Sequence, residues 1–418
     1  MLERSTLPLF DADNHYWESS DAFTRYRDPD FAERGVTVKE VDGVIRYVVN
    51  DEVFPFLPGP ADVHSRPAPG AYMDYFVGKT SRADFLAAFT EQPTNHPEWY
   101  GRDERLAVMG QQGVEATWMF PSQGVVLEPS MHCDLDVTME VYRAFNRWVE
   151  DQWGFAYKDR IFGVPYIVTS DPAQMVGELQ WCLDHGARVV AIRHGAAVTR
   201  DGLLSPADPM FDPFWGLAQE AGVVVSSHDG ADQTYADLGP FLARQWGDRP
   251  DLGAHAEGGD NMRMHGGGSV ITSLLKNRIV HDFAYILTAH RLFERFPRLK
   301  VAYIENGCAW IPSLLQALEY LGHGGEYQKN PKDQFIEHCW VAPFVEESVD
   351  ELARHLPVER ILFGSDWPHG EGFAQPTDFL ENVSNFSERD QRRIMYDNAC
   401  ELTFGQTRSP AGGGTANG

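Results

Sequence analysis

The chain has 418 residues, of which 43% are hydrophobic and 12% aromatic, so it carries enough apolar material for a large buried core. Acidic side chains outnumber basic ones by 61 to 35, and the resulting net charge of -26 argues against a nucleic-acid partner, because phosphate contact needs a basic surface. No apolar run approaches the roughly 20 residues that cross a bilayer, which argues against a membrane protein. The five cysteines are odd in number and form no C-x-x-C pair. We therefore expect a cytoplasmic protein with reduced thiols.

Eight apolar runs rich in β-branched and aromatic residues predict strands that are buried on both faces. These runs are Leu7–Phe10, Val114–Phe120, Ile161–Val168, Val189–Ile192, Val223–Ser226, Val301–Ile304, Cys339–Pro343 and Ile361–Phe363. Helical segments separate them, and Asp171-Pro172 and Asp212-Pro213 each place a capping Asp before a Pro suited to the first helical position. This alternation indicates an α/β fold, the (β/α)8 TIM barrel.

Two long insertions interrupt the pattern, at 35–100 and 229–268. The first contains a predicted hairpin, Val36–Val49, that turns at Asp42-Gly43. Both follow strands, so both should lie over the C-terminal face of the barrel, where lids and substrate pockets occur. We predict one metal-dependent domain over 1–405 and a disordered tail over 406–418.

Polar side chains stand at the ends of the predicted strands, where active sites of such barrels form. Three carboxylates and several imidazoles that converge on one mouth would repel or desolvate one another without a cation, so we predict a metal site. In chain order the candidates are Asp13, His15 and Glu18 after the first strand, His194 after the fourth, His228 after the fifth, His281 in the helical run Ser273–Phe296, Glu305 after the sixth, and Asp366 and His369 after the eighth.

Several candidates have an ordinary structural alternative. Asp13 could cap a turn, and Glu18 could compensate the charge of a helix N-terminus. Glu305 could pair with Arg193 at a neighbouring strand end. His281 lies in a helical run, where a buried, hydrogen-bonded histidine is the commoner outcome.

The combination of motifs resembles the amidohydrolase-related family, which includes metal-dependent decarboxylases and hydrolases. The resemblance covers about residues 7 to 404 and depends on Asp-x-Asp-x-His at 11–15, His228, Glu305-Asn306-Gly307-x-x-Trp310 and Gly364-Ser365-Asp366-x-Pro368-His369. It implies that Asp13, His15, His228 and Asp366 are metal ligands. Asp13 replaces the usual His, and Glu305 stands where many relatives have a catalytic His, which shifts the preference toward harder ions such as Mn or Fe.

The surplus of carboxylates and imidazoles is similar to a small branch of this family, the TIM-barrel non-heme diiron monooxygenases. That resemblance implies two iron ions, with Glu305, Asp366 and His369 as catalytic groups. The implied metal ligands are Asp13, His15, Glu18, His194, His228, His281, Glu305 and Asp366. It also implies hydroxylation of an unactivated C–H bond in a large apolar, diterpenoid-type acyl substrate, expected as a CoA thioester, with O2 and an external electron donor. The alternative is a hydrolase or non-oxidative decarboxylase with a single Zn or Mn ion, and the oligomeric state stays open, a homodimer included.

Overall fold

The computed structural model describes residues 7–54, 59–73, 79, 87–230, 238–247, 275 and 277–408. Most of the predicted insertion at 229–268, and the tail from 409 onward, lie outside the described residues. None of the described helices combines the length and the apolar character required to cross a bilayer. The cytoplasmic location stays a prediction.

Strands in this part of the chain are short, and most of them are parallel to their neighbours. In chain order they are β1 (Leu9–Tyr16), β2 (Val36–Val41), β3 (Val44–Val49), β4 (Glu52–Val53), β5 (Val114–Pro121), β6 (Ile161–Gly163), β7 (Val189–Ile192), β8 (Ala197–Thr199), β9 (Gly202–Leu204), β10 (Val224–His228), β11 (Lys300–Ile304) and β12 (Cys339–Val341).

Helices follow the barrel strands and cover the outside of the ring. The described α-helices are α1 (Arg102–Gln112), α2 (Gly124–Leu127), α3 (Leu135–Gln152), α4 (Pro172–Asp184), α5 (Asp212–Ala221), α6 (Leu238–Trp246), α7 (Arg278–Ala289), α8 (Leu292–Arg295), α9 (Ile311–Gly324), α10 (Pro331–His338), α11 (Val349–Leu352), α12 (Glu388–Arg392) and α13 (Asn398–Phe404). The Asp171 side chain accepts hydrogen bonds from the first turn of α4, as predicted. Asp212 is the first residue of α5 rather than its cap, so that boundary differs by one residue.

The parallel strands form two arcs, β1-β5-β6 and β7-β10-β11-β12. Main-chain hydrogen bonds of Ala191 with Pro165 and Ile167, each at 2.8 Å, join the segment that directly follows β6 to β7. On the other side, the Leu362 amide donates to Val341 and the Ala12 amide donates to Phe363, each at 2.9 Å. The run 361–363 therefore closes the ring as its eighth member, and the predicted (β/α)8 barrel is confirmed.

The first barrel strand is longer than predicted, because β1 continues through Asp11 and His15 to Tyr16. The prediction ended the strand at the first polar residue. The polar side chains of β1 have buried partners, which allows the strand to continue: Asp11 accepts from the Ser365 amide at 2.9 Å and from the Asn14 side chain at 2.9 Å. The pairing of β1 with β5 shifts register between Asp11 and Asn14, so the strand is irregular at the residues that face the barrel mouth.

The described part of the first insertion lies against the C-terminal mouth of the barrel. The predicted hairpin is confirmed: β2 pairs with β3, and Asp42 and Gly43 both have positive φ, as a two-residue turn of this kind requires. Further along, the Gly70 amide donates to the His369 carbonyl at 3.1 Å, and the Tyr72 amide donates to Gly370 at 2.7 Å. The insertion is thus joined by backbone hydrogen bonds to the loop that follows the eighth barrel strand.

Candidate metal centre

Side chains from three barrel strand ends meet at the mouth in two groups that share His15: Asp13, His15 and His228 form one, and His15, Asp366 and His369 form the other. His15 Nε2 lies 3.3 Å from Asp13 Oδ1, 3.3 Å from Asp366 Oδ1 and 3.3 Å from His228 Nε2. His228 Nε2 lies 3.5 Å from Asp13 Oδ1. All five residues are buried. The ligand atoms of Asp13, His15 and His228 therefore face one small volume, and Asp366 Oδ1 adjoins it beside His15.

The contacts in this group suit a metal ion better than a network of hydrogen bonds. Asp13 Oδ1 and Asp366 Oδ1 are both buried and, although each is 3.3 Å from His15 Nε2, neither has a hydrogen-bond partner among the described residues. Ligand atoms that bind one metal at about 2.1 Å are themselves separated by about 3 Å, which matches the observed spacing. The chemistry and spacing of these atoms fit a divalent cation, and the role of Asp13, His15, His228 and Asp366 as its ligands stays a prediction.

Glu305 lies at the edge of the same group. Its Oε2 is 3.2 Å from His228 Nε2 and 4.0 Å from His15 Nε2. Its side chain is 20% exposed, compared with 6% for Asp13 and 8% for Asp366. Glu305 therefore reaches the cluster from the open side, where a substrate would enter. The alternative partner Arg193 lies beside Glu128 instead, with Nε 3.5 Å from Glu128 Oε1.

His369 and Glu371 extend the cluster along the loop after the eighth strand. His369 Nδ1 lies 2.7 Å from Asp366 Oδ1, and its Nε2 lies 2.7 Å from Ser122 Oγ. Glu371 can bring a carboxylate oxygen within 4.8 Å of ligand atoms of Glu305, Asp366 and His369. Neither Glu371 nor Ser122 was predicted from the sequence. The spacing His369-x-Glu371 was the available signal for the first, and no sequence signal pointed to Ser122.

The surroundings of these carboxyl groups shift their pKa values in opposite directions. Burial, reinforced by the other carboxylates, raises the pKa values of Glu305 and Asp366 well above their ordinary range. Burial also acts to raise the pKa of Asp13, but the close imidazoles of His15 and His228 outweigh it, and that pKa falls below its ordinary value. Burial lowers the pKa of His15, which keeps the ring neutral and able to bind a metal through Nε2.

Three predicted ligands lie outside the groups that could hold a metal among the described residues: Glu18, His194 and His281. Glu18 Oε1 instead accepts hydrogen bonds from the Gln123 and Gly124 amides at 2.8 Å each, at the N-terminus of α2. His194 Nε2 lies 4.0 Å from Asp229 Oδ1. His281 is half-buried on α7, where its Nδ1 contacts Asp282 at 2.9 Å. The structure thus favours the structural alternatives for Glu18 and His281.

Comparison with known proteins agrees with the barrel fold. A family model described as amidohydrolase matches residues 10–402. This chain belongs to the amidohydrolase family. The structure of an amidohydrolase from Mycobacterium avium subsp. paratuberculosis K-10 is 34% identical, with a TM-score of 0.85 over 95% of this chain and 99% of that one.

Two further proteins that this chain resembles are decarboxylases. A dihydroxybenzoic acid decarboxylase from Polaromonas sp. JS666, solved with bound manganese and the inhibitor 2-nitroresorcinol, shares the fold at 18% identity and a TM-score of 0.56, over 81% of this chain and 95% of that one. The 2-amino-3-carboxymuconate-6-semialdehyde decarboxylase of Dictyostelium discoideum is 26% identical over 122 residues, which are 27% of this chain and 33% of that protein. The match therefore spans about a third of the curated relative.

These relatives overturn part of the functional prediction. The prediction of an oxidoreductase, a non-heme diiron monooxygenase, is wrong, because the chain matches amidohydrolases and a decarboxylase, whose chemistry does not consume O2. A centre of two iron ions is not supported either, and the electron donor predicted with it has no role in such chemistry. The surplus carboxylates and imidazoles that suggested a second iron are partly structural, as Glu18 and His281 show. The acyl substrate, its CoA carrier and a homodimer stay predictions.

Proposed function

We propose that this protein is a metal-dependent, non-oxidative decarboxylase of an aromatic or unsaturated carboxylic acid. The observation that carries the proposal is the buried group Asp13, His15, His228 and Asp366 with the more exposed carboxyl group of Glu305 beside it. The decarboxylase relatives support the reaction class. The substrate class follows from chemistry, because the electron pair that CO2 leaves behind needs a conjugated group to delocalise it.

Asp13, His15, His228 and Asp366 would hold one divalent ion, and manganese is the first to test, because carboxylate oxygens suit hard cations and a relative contains it. The ion, when bound, supplies positive charge that orients and polarises an oxygen atom of the substrate. The side chains supply the rest of the chemistry. Glu305 reaches the open side of the group, where its Oε atoms can carry a proton to the substrate.

The reaction balances without an oxidant. The bond between the carboxyl carbon and the ring or vinyl carbon breaks, CO2 leaves, and the electron pair stays on the remaining carbon. Glu305 delivers a proton to that carbon and regains one from water. The described part of the first insertion is joined by backbone hydrogen bonds to the loop at His369 and Gly370, beside the place where this carbon would lie.

Hydrolysis of an acyl bond is the second candidate, favoured by the amidohydrolase that is 34% identical over nearly the whole chain. The same four ligands would hold the ion, and Glu305 would then take a proton from water instead of giving one to carbon.

One isotope experiment separates the two candidates. Manganese-loaded protein is incubated with a panel of aromatic and unsaturated carboxylic acids and their amides or esters, in heavy water and, in parallel, in water labelled with heavy oxygen. Decarboxylation should release CO2 and place one deuterium on the carbon that lost it, in air and under nitrogen alike. Hydrolysis would instead place heavy oxygen in the product acid, which would overturn the decarboxylase in favour of the second candidate. A reaction that proceeds in air but stops under nitrogen would contradict both.

A further inference from the structure

Ser122 occupies a position next to the metal centre that the proposed chemistry does not use. It follows Pro121, the last residue of β5, and is buried. Its Oγ lies 2.7 Å from the carbonyl oxygen of Tyr16 and 2.7 Å from Nε2 of His369. The hydroxyl therefore joins the backbone of β1 to the imidazole that faces Asp366.

The position of the hydroxyl hydrogen follows from these two distances. A carbonyl oxygen can only accept, so a separation of 2.7 Å from Oγ requires the single hydroxyl hydrogen to lie between the two oxygen atoms. Ser122 Oγ then has no hydrogen left for His369 and must accept from Nε2 instead. Nε2 consequently carries the imidazole hydrogen, and in the neutral ring Nδ1 carries a lone pair.

The neighbouring aromatic rings restrict the plane of the His369 ring but do not determine which of its edges faces Ser122. The ring stacks on His15, with centroids 4.0 Å apart and 28° between planes, and contacts the ring of Trp17 at 4.9 Å with a tilt of 52°. A half-turn of the ring about its bond to Cβ would leave both ring contacts in place while replacing each nitrogen with a carbon. The hydrogen bond to Ser122 distinguishes these orientations, and it leaves Nδ1 facing Asp366 Oδ1 at 2.7 Å.

We propose that Ser122 is a positioning residue that holds His369 in the Nε2-protonated tautomer, so that the Nδ1 lone pair faces Asp366 and the metal centre. A hydrogen on Nδ1 would place a donor against the ion instead. The two buried atoms, Asp366 Oδ1 and His369 Nδ1, have no hydrogen-bond partner of good geometry among the described residues, as expected where lone pairs converge. The bearing of this arrangement on turnover depends on the proposed function, whereas the tautomer does not.

The tautomer can be observed directly by nitrogen NMR of protein labelled at its histidines, both metal-free and loaded with diamagnetic zinc. His369→Gln assigns the two His369 resonances by their loss. The wild-type spectrum should show a protonated Nε2 and an unprotonated Nδ1. Ser122→Ala should produce a mixture of tautomers, and Ser122→Thr, which keeps the hydroxyl, should restore one. Ser170→Ala, which removes a buried hydroxyl without a described partner, is the matched control and should leave the His369 signals unchanged.

Two results would overturn the inference: a protonated Nδ1 in the wild-type protein, or a Ser122→Ala variant whose spectrum shows the His369 tautomer unchanged. Activity gives a second readout. Ser122→Ala should lower kcat about 10- to 100-fold with unchanged metal content and KM, as loss of an outer-shell partner does. If the wild-type protein released no CO2 but showed the expected tautomer, the proposed function would fail and the role of Ser122 would stand.

Discussion

Glu305 and Asp366 share a backbone conformation that is unusual for residues with side chains. Their φ angles are 52° and 56°, in the left-handed region that glycine normally occupies. Each such residue costs about 1–3 kcal/mol and persists only where its surroundings enforce it. Both residues end barrel strands and both face the metal centre. The strain is therefore located at the two carboxyl groups on which the proposed chemistry depends.

Glu305→Gln tests the role of the exposed carboxyl group. Glutamine keeps the size of the side chain and can accept the same contacts, but it cannot carry a proton. Turnover should fall by about 10²- to 10⁴-fold, as expected for the loss of a general acid, while metal content measured by elemental analysis stays the same. A variant with wild-type turnover would remove Glu305 from the mechanism.

His228→Ala tests the ligand set. Removing one of the two imidazoles should weaken binding of manganese by more than about 100-fold, since the loss of outer-shell partners alone costs up to that much. The barrel should stay folded, because His228 is the last residue of β10 and lies at the barrel mouth rather than in the packed interior. Titration followed by calorimetry measures the change. His281→Ala, on α7 and outside the described metal groups, is the matched control and should bind manganese as tightly as the wild-type protein.

Among the elements, the segment around Gly70 holds the loop that carries His369. The Gly70 amide donates to the His369 carbonyl, and the φ angle of Gly70 is 76°. A Cβ at this position would lie 2.7 Å from the Ala374 backbone nitrogen. The backbone of this segment and the loop after the eighth strand are thus packed too closely for any side chain. Displacement of one should displace the other, and with it the imidazole.

Gly70→Ala should therefore affect both stability and turnover. Gly43, at the tip of the β2–β3 hairpin, has a φ of 78° but open space around it, so Gly43→Ala isolates the conformational cost. We expect a loss of about 1–2 kcal/mol for Gly43→Ala and about 1–3 kcal/mol more for Gly70→Ala, measured by urea unfolding. Only Gly70→Ala should lower turnover, on the order of 10-fold to 100-fold. Equal effects of the two variants on both quantities would contradict the coupling.

Glu18 connects β1 to the N-terminus of α2. Burial raises its pKa from 4.5 to about 7, although hydrogen bonds from the Gly124 and Gln123 amides act in the opposite direction. A carboxyl group whose pKa is raised by folding stabilises the fold while it is protonated. Its contribution is complete below the ordinary pKa and is lost as the pH rises through 7.

Glu18→Gln removes this titration and keeps an oxygen that can accept from both amides. The wild-type protein should lose up to about 3 kcal/mol relative to the variant between about pH 5 and about pH 8. Urea unfolding of both proteins at the two pH values measures the difference. A stability difference that does not change with pH would show that Glu18 is ionised throughout.

For the whole molecule, the sequence was sufficient to predict the barrel and to single out residues that the structure brings close together at its mouth, whose roles stay predictions. Strand-end motifs such as Asp13-x-His15 and Asp366 are local, and the barrel brings strand ends together, so their convergence could be expected. The hydrogen bonds of the Glu18 side chain could not be predicted, because the amides that donate to it lie about a hundred residues away in the sequence. Ser122 and Glu371 were missed because their loops, not their types, place them at the site. The reaction class was mispredicted because ligand types alone do not separate one metal from two.

We propose above that Asp13, His15, His228 and Asp366 hold one divalent ion at the mouth of the barrel. Crystals grown with manganese, measured at the manganese absorption edge, test it directly. We expect one anomalous peak per chain, within about 2.0–2.3 Å of Asp13 Oδ1, His15 Nε2, His228 Nε2 and Asp366 Oδ1. Two peaks about 3–4 Å apart, or a peak that contacts none of these four atoms, would contradict it.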